Sequence, residues 1–90
     1  MWTIGYSGSF NKDLKRIKKR GYDIQLIKDA IAELEANGQL PESYRPHILH
    51  GNWSGYWEAH ILPDWLIIYE VSDRIRLVRL VRTGTHSDLF

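Results

Sequence analysis

The stretch Trp53-Ser-Gly-Tyr-Trp-Glu-Ala-His-Ile-Leu62, then Pro63-Asp64, then Trp65-Leu-Ile-Ile-Tyr-Glu-Val71 decides the fold class. Both runs are rich in aromatic and β-branched residues, and a Pro-Asp pair divides them, so they read as two strands joined by a tight turn. Working outward, His47-Ile48-Leu49-His50 reads as a short strand that stops at Gly51-Asn52. On the other side Ser72-Asp73 turns the chain. Arg74 to Arg82 then alternates Arg74 and Arg76 with Ile75 and Leu77, a further strand. Strands in succession with tight turns form a mostly antiparallel sheet.

The first half has a different period. Trp2, Ile4 and Tyr6 alternate with Thr3 and Gly5, which predicts an opening strand. Ser7 or Ser9 caps a helix carrying Phe10, Leu14 and Ile17 on one face, and Gly21 stops it behind a basic last turn. Asp23 caps a second helix with the stripe Ile24, Ile27, Ile31 and Leu34, extended by Leu26 and Ala30, and Asn37-Gly38 closes it. Leu40 to Pro46 is an ordered loop. The expectation is an α+β fold in one domain, residues 1–90. Its order is strand, helix, helix and four strands, with a helical hairpin packed on one face of an antiparallel sheet.

Length and composition narrow the function. Ninety residues suffice for one small core, and a 43% hydrophobic, 26% charged chain is a folded one. With no cysteine, disulfides, thiolate metal sites and a cysteine nucleophile are excluded. The longest apolar run, Trp65 to Tyr69, is too short to span a membrane, and the first residues lack a signal-peptide layout, so a cytoplasmic location is expected. Net charge is only +1, yet Lys12, Lys15, Arg16, Lys18, Lys19 and Arg20 crowd one helix, with Arg74, Arg76, Arg79 and Arg82 as a second basic series. Together they point to an anionic partner, against the plainer reading of solvated faces.

Chemistry-bearing residues gather in the second half: His47, His50, His60 and His86, with Asp64 in the turn after His60. Histidine is the usual acid or base near neutral pH. His60 and Asp64 flank one hairpin turn and can share a concavity, while His86 follows the last strand on a tail that can fold back. Four unrelated surface histidines remain the alternative. A metal site is a third reading, weakened because no H-x-x-x-H or H-x-H pair exists and because His47 and His50, three apart on a strand, face opposite sides. Ser54, Ser72 and Ser87 have no nucleophile elbow, and there is no phosphate-binding glycine motif. Most of Trp53, Tyr56, Trp57, Trp65 and Tyr69 belong in the core. Trp65, at the mouth of the turn, is the one expected to stack on a base.

Three segments carry a resemblance that covers nearly the whole chain: His47-Ile-Leu-His-Gly-Asn-Trp-Ser-Gly-Tyr-Trp-Glu-Ala-His60, Pro63-Asp-Trp-Leu-Ile-Ile-Tyr69 and Arg82-Thr-Gly-Thr-His-Ser-Asp-Leu-Phe90. They resemble the YafQ branch of the RelE/ParE toxin superfamily. The resemblance implies a toxin of a type II toxin–antitoxin pair, a ribosome-dependent endoribonuclease that cuts mRNA in the ribosomal A site without metal or other cofactor. Its partners would be a cognate antitoxin, the ribosome and mRNA, with operator DNA reached only through the antitoxin.

Carried over position by position, the resemblance implies catalytic roles for His47, His60, Asp64 and His86, and substrate-binding roles for Trp65, Arg82 and Phe90. His60 or His47 with Asp64 would serve the base side, His86 would be the acid, and Arg82 would carry phosphate charge. Lys15, Arg16, Lys18, Lys19 and Arg20 would contact the ribosome. Trp57 stands where close relatives carry Arg, Leu62 stands where Glu is common, and the Tyr69–Arg82 hairpin is slightly longer. The rival readings are a gyrase-inhibiting toxin of the same fold and a non-catalytic interaction domain.

Overall fold

Strand β4, Trp65–Ser72, is the centre of the molecule, and its first five residues are all buried. A strand that buries two faces reads as an unbroken apolar run, which is why Trp65 to Tyr69 does not alternate. Trp65, Ile67 and Tyr69 join the large core under the helices, whereas Leu66 and Ile68 join a smaller cluster with Leu89 on the opposite face.

The computed structural model describes all residues, 1–90. Around β4 lie β1 (Thr3–Tyr6), α1 (Gly8–Lys19), α2 (Ile24–Asn37), β2 (His47–Ile48), β3 (Trp57–Leu62), β5 (Leu77–Gly84) and α3 (His86–Leu89). The sheet order is β1-β5-β4-β3-β2. Three pairings are antiparallel, and β1 pairs with β5 in parallel. That parallel edge is the departure from an all-hairpin sheet. The two helices lie between β1 and the hairpins, so β1 returns beside the last strand rather than the next one.

The helices form where local chemistry places them. Ser7 caps α1: its Oγ accepts from the Phe10 amide at 2.9 Å and donates to the Val81 carbonyl at 2.7 Å. The cap therefore also ties the helix to the sheet. Phe10 and Ile17 are fully buried, with Leu14 packed beside them. Asp23 accepts from the Gln25 amide at 3.0 Å, and Gly38 ends α2 in the left-handed region at φ 72°. A Cβ on Gly38 would meet the Trp2 ring at 2.2 Å, so both conformation and close approach demand glycine there.

Four expectations need correction. The predicted strand from Trp53 to Leu62 begins only at Trp57, because Gly51 and Gly55 take positive φ and residues Gly51–Trp53 form a 3₁₀ turn. The strand expected over His47–His50 holds only His47 and Ile48. The strand expected from Arg74 begins at Leu77, because Arg76 sits at φ 51° in a turn and Ile75 is exposed. The tail after Gly84 is a short helix rather than a free segment.

Trp65 needs the largest correction. It is wholly buried, its Nε1 donates to Thr83 Oγ1 at 2.9 Å, and its ring edge meets Tyr22 at 5.2 Å between centroids. Pairing of Leu62 with Trp65 turns the indole under the helices, so no ring face is left for a base. Thr83 completes the link by donating to the Leu66 carbonyl at 2.7 Å.

Asp13, on the inner face of α1, joins the helix to the far end of β5. Its carboxylate accepts from Arg82 Nε at 2.6 Å, Arg82 Nη2 at 3.2 Å, the Thr83 amide at 3.1 Å and Arg16 Nη2 at 2.6 Å. Removing it leaves a half-buried guanidinium and a buried amide without an acceptor. Asp13→Ala is expected to lower stability by about 2–3 kcal/mol. Urea unfolding followed by circular dichroism checks this, and an unchanged midpoint would show that Asp13 does not join α1 to β5.

Candidate active site

Trp57, Ala59 and Ile61 of β3 pack toward the helices, so Glu58 and His60 project from the opposite face. On that face the sheet register sets Glu58 beside His47 of β2. His47 Nε2 lies 3.2 Å from Glu58 Oε1. The His47 and His60 rings stand 6.3 Å apart, and the His60 and His86 rings are again 6.3 Å apart. Three histidines from β2, β3 and α3 thus form one row, with a carboxylate at each end. The spacing rules that argued against paired histidines apply within one element. Here the pairs form across elements.

At the other end Asp64 Oδ1 accepts from the His86 backbone amide at 3.0 Å and contacts His86 Nδ1 at 2.5 Å. These bonds, the backbone one first, hold the Asp64 carboxyl below its usual range. Its ionised form therefore anchors His86. The sequence reading had set Asp64 beside His60 or His47; the structure gives it to His86. An ionised acceptor on Nδ1 selects the tautomer that keeps the proton there and turns Nε2 outward. Between the anchored ends, His60 Nδ1 is buried without a hydrogen-bond partner.

His86 owes its position to α3, four residues long and too short to persist alone. Thr85 and Asp88 form a capping box, and Leu89 is buried on Leu66 and Ile68. Asp88 also takes both Arg20 nitrogens, at 2.7 and 3.0 Å. That guanidinium is the main cause holding the Asp88 carboxyl far below the usual range. A Cβ on Gly84 would lie 2.9 Å from Asp88 Cβ, so glycine lets the strand end close against the helix. Phe90, more than half exposed, meets Trp53 edge-on at 6.0 Å and borders the row.

The cations divide. Lys15, Lys18 and Lys19 are exposed on α1, whereas Arg16 is paired with Asp13 and Arg20 with Asp88. Arg79 pairs with Glu70 at 3.3 Å and Arg76 lies over the Trp2 ring at 5.0 Å, so the C-terminal basic series is largely used within the fold. Arg82 is kept firmly protonated by its bonds to Asp13, which engage Nε and Nη2 and leave Nη1. His50 is exposed and outside the row. The sequence reading missed Glu58, Asp13 and Asp88. Only Glu58 gave a signal, two residues before His60 on a strand and so on its face. A cleft of about 250 Å³, lined by Leu26, Asp29, Ser43, Tyr44, His60 and Ile61, reaches His60 from the helix side. The row itself is an open surface, suited to an extended polymer.

No helix is long and apolar enough to cross a membrane. The description "Bacterial toxin of type II toxin-antitoxin system, YafQ" fits residues 2–90. The chain is 44% identical over 88 residues to the mRNA interferase toxin YafQ of Escherichia coli K12, covering 97% of this chain and 94% of that one. The toxin in the E. coli DinJ-YafQ complex superposes with a TM-score of 0.89 at 43% identity, over 100% of this chain and 99% of that one. The metal-bound toxin from Helicobacter pylori does so with a TM-score of 0.89 at 37% identity, over the whole of both chains. Sequence and topology agree, and the chain belongs to the YafQ family of bacterial type II toxin–antitoxin toxins.

Proposed function

We propose that this chain arrests translation by cutting mRNA in the ribosomal A site through acid–base chemistry carried by its own side chains. The observation that supports it most is the row His47–His60–His86, with Asp64 holding the Nδ1 side of His86. Cleavage needs the ribose 2′-hydroxyl to lose a proton as its oxygen attacks phosphorus. The bond from phosphorus to the 5′-oxygen then breaks, and that oxygen takes a proton. His60, central in the row, takes the first proton, and His86 Nε2 gives the second. Arg82, with Nη1 not engaged by Asp13, carries the charge that develops on phosphate, and Phe90 stacks on the RNA. Each of these roles is filled by a side chain, so the reading needs no metal or cofactor.

Lys15, Lys18 and Lys19 supply the sequence-independent attraction to ribosomal RNA phosphate. The E. coli relative is crystallised with its DinJ antitoxin, and a cognate antitoxin is the proposed restraint on this toxin in the cytoplasm. Operator DNA would be reached only through it. A gyrase-inhibiting or purely interacting domain would leave the aligned histidines and their carboxylates without use.

His86→Gln is expected to lower cleavage of ribosome-bound mRNA by roughly 10²-fold or more with the fold intact. Single-turnover cleavage with circular dichroism as control measures this, and full activity in a folded variant would remove His86 from the reaction. Asp64→Ala should free the His86 ring, moving its ¹⁵N resonances away from the pattern of an Nδ1-protonated imidazole. In the parent chain the Asp64 anchor persists above the ordinary carboxylate range and weakens only as pH falls through the lowered Asp64 pKa. A His86 spectrum insensitive to both changes would contradict the anchoring role.

A further inference from the structure

We propose that Arg20 is a positioning residue for the reaction: by gripping Asp88 from the end of α1, it turns α3 so that His86 faces the histidine row. The proposal rests on the acid role given to His86 above. Arg20 Nη1 donates to Asp88 Oδ2 at 2.7 Å and Nη2 donates to Asp88 Oδ1 at 3.0 Å, across 68 residues of chain. Two parallel bonds between planar groups fix orientation as well as distance, which a point charge does not. Both ends of the grip are themselves held. Arg20 caps α1, and its backbone amide donates to the Arg16 and Ile17 carbonyls at 3.1 and 3.2 Å. Asp88 Oδ2 also accepts from the Thr85 amide at 2.9 Å, and the Asp88 amide donates to Thr85 Oγ1 at 3.2 Å.

A helix of four residues needs such a hold. Leu89, buried on Leu66 and Ile68, sets how deep α3 lies, but one apolar contact does not set its roll about its own axis. Roll matters because positions two apart on a helix point roughly 200° from one another. Asp88 drawn toward α1 therefore sends His86 the other way, to where its ring stands 6.3 Å from that of His60. There Asp64 meets the His86 amide and ring. Arg20 and Asp64 thus hold opposite sides of one helical turn. A displacement of the imidazole by about an ångström is enough to slow a proton transfer severely.

This use of Arg20 competes with a contact to ribosomal RNA, the role that the basic face of α1 suggests. Both Nη nitrogens are engaged, and the side chain is only 39% exposed. A phosphate would have to displace Asp88, and doing so would loosen the helix that carries the acid.

The test measures single-turnover cleavage of ribosome-bound mRNA over a range of toxin concentrations, which separates the saturating rate from the half-saturating concentration. Arg20→Gln removes the grip, and Asp88→Asn keeps an acceptor for the Thr85 amide while losing the ion pair. Each is expected to lower the saturating rate about tenfold and to leave the half-saturating concentration within about twofold of the parent's. The double variant should lose no more than the worse single one, because the two residues act as a unit. Arg20→Lys, with one donor head in place of the fork, should recover part of the rate. The amides of Asp88, Leu89 and Phe90, which bond to the Thr85 and His86 carbonyls, should exchange at least about tenfold faster in Arg20→Gln, with the amides of β4 unchanged. A raised half-saturating concentration at full saturating rate would make Arg20 a ribosome contact and overturn the proposal. So would losses that add in the double variant, α3 amides that exchange as in the parent, or faster exchange at an undiminished saturating rate. Should His86→Gln cut as fast as the parent, the acid reading falls instead, and the exchange rates still decide whether Arg20 holds α3.

Discussion

The Asp13 carboxylate lies almost wholly out of water and accepts four hydrogen bonds from three residues. Burying a charge is costly unless partners surround it, and here Arg82, Arg16 and the Thr83 amide do so. One side chain therefore ties the first helix to the end of the last strand. Everything beyond that strand inherits the tie: Gly84, the Thr85 cap, α3 and His86. Arg20, which caps the end of α1 about one turn beyond Arg16, repeats the arrangement by holding Asp88. The helix that looks in sequence like an RNA-facing basic face is also the clamp on the tail that carries His86.

This dual use explains which parts were legible in the sequence. Helix limits are local chemistry: Ser7, Asp23 and Gly38 cap where their side chains or φ angles allow, and no distant residue is needed to see it. The buried run Trp65–Tyr69 is equally plain in composition. Strand limits are less so. Arg76 at φ 51° carries no signature that a left-handed turn lies there, and it shortens β5 from its expected start. Trp65 misled for a related reason. A residue after a turn is exposed by its neighbours in sequence, but its burial was decided by pairing with Leu62 and by Thr83, eighteen residues away.

The site divides in the same way. His47, His60, Asp64 and His86 were legible as residue types and through resemblance, and the structure does bring them to one face. Their pairing was not legible. Asp64 is four residues from His60 and twenty-two from His86, yet it binds the latter, because α3 folds back over the turn. Glu58 shares a strand face with His60 by its spacing, but its partner was hidden until β2 lays His47 against it.

The carboxylates at the two ends of the row are not equivalent, and that difference gives the row a direction. Asp64 is exposed and binds both the backbone and the ring of His86, so it fixes the conformation and tautomer of an exposed imidazole. Glu58 is buried and meets the Nε2 tip of His47, whose Nδ1 lies 3.3 Å from the Arg45 carbonyl. An acid that must deliver a proton at one place gains from the first arrangement, since a fixed donor loses little freedom at the moment of transfer. His60, between them and with one nitrogen unsatisfied, takes its role from whatever lies beside it.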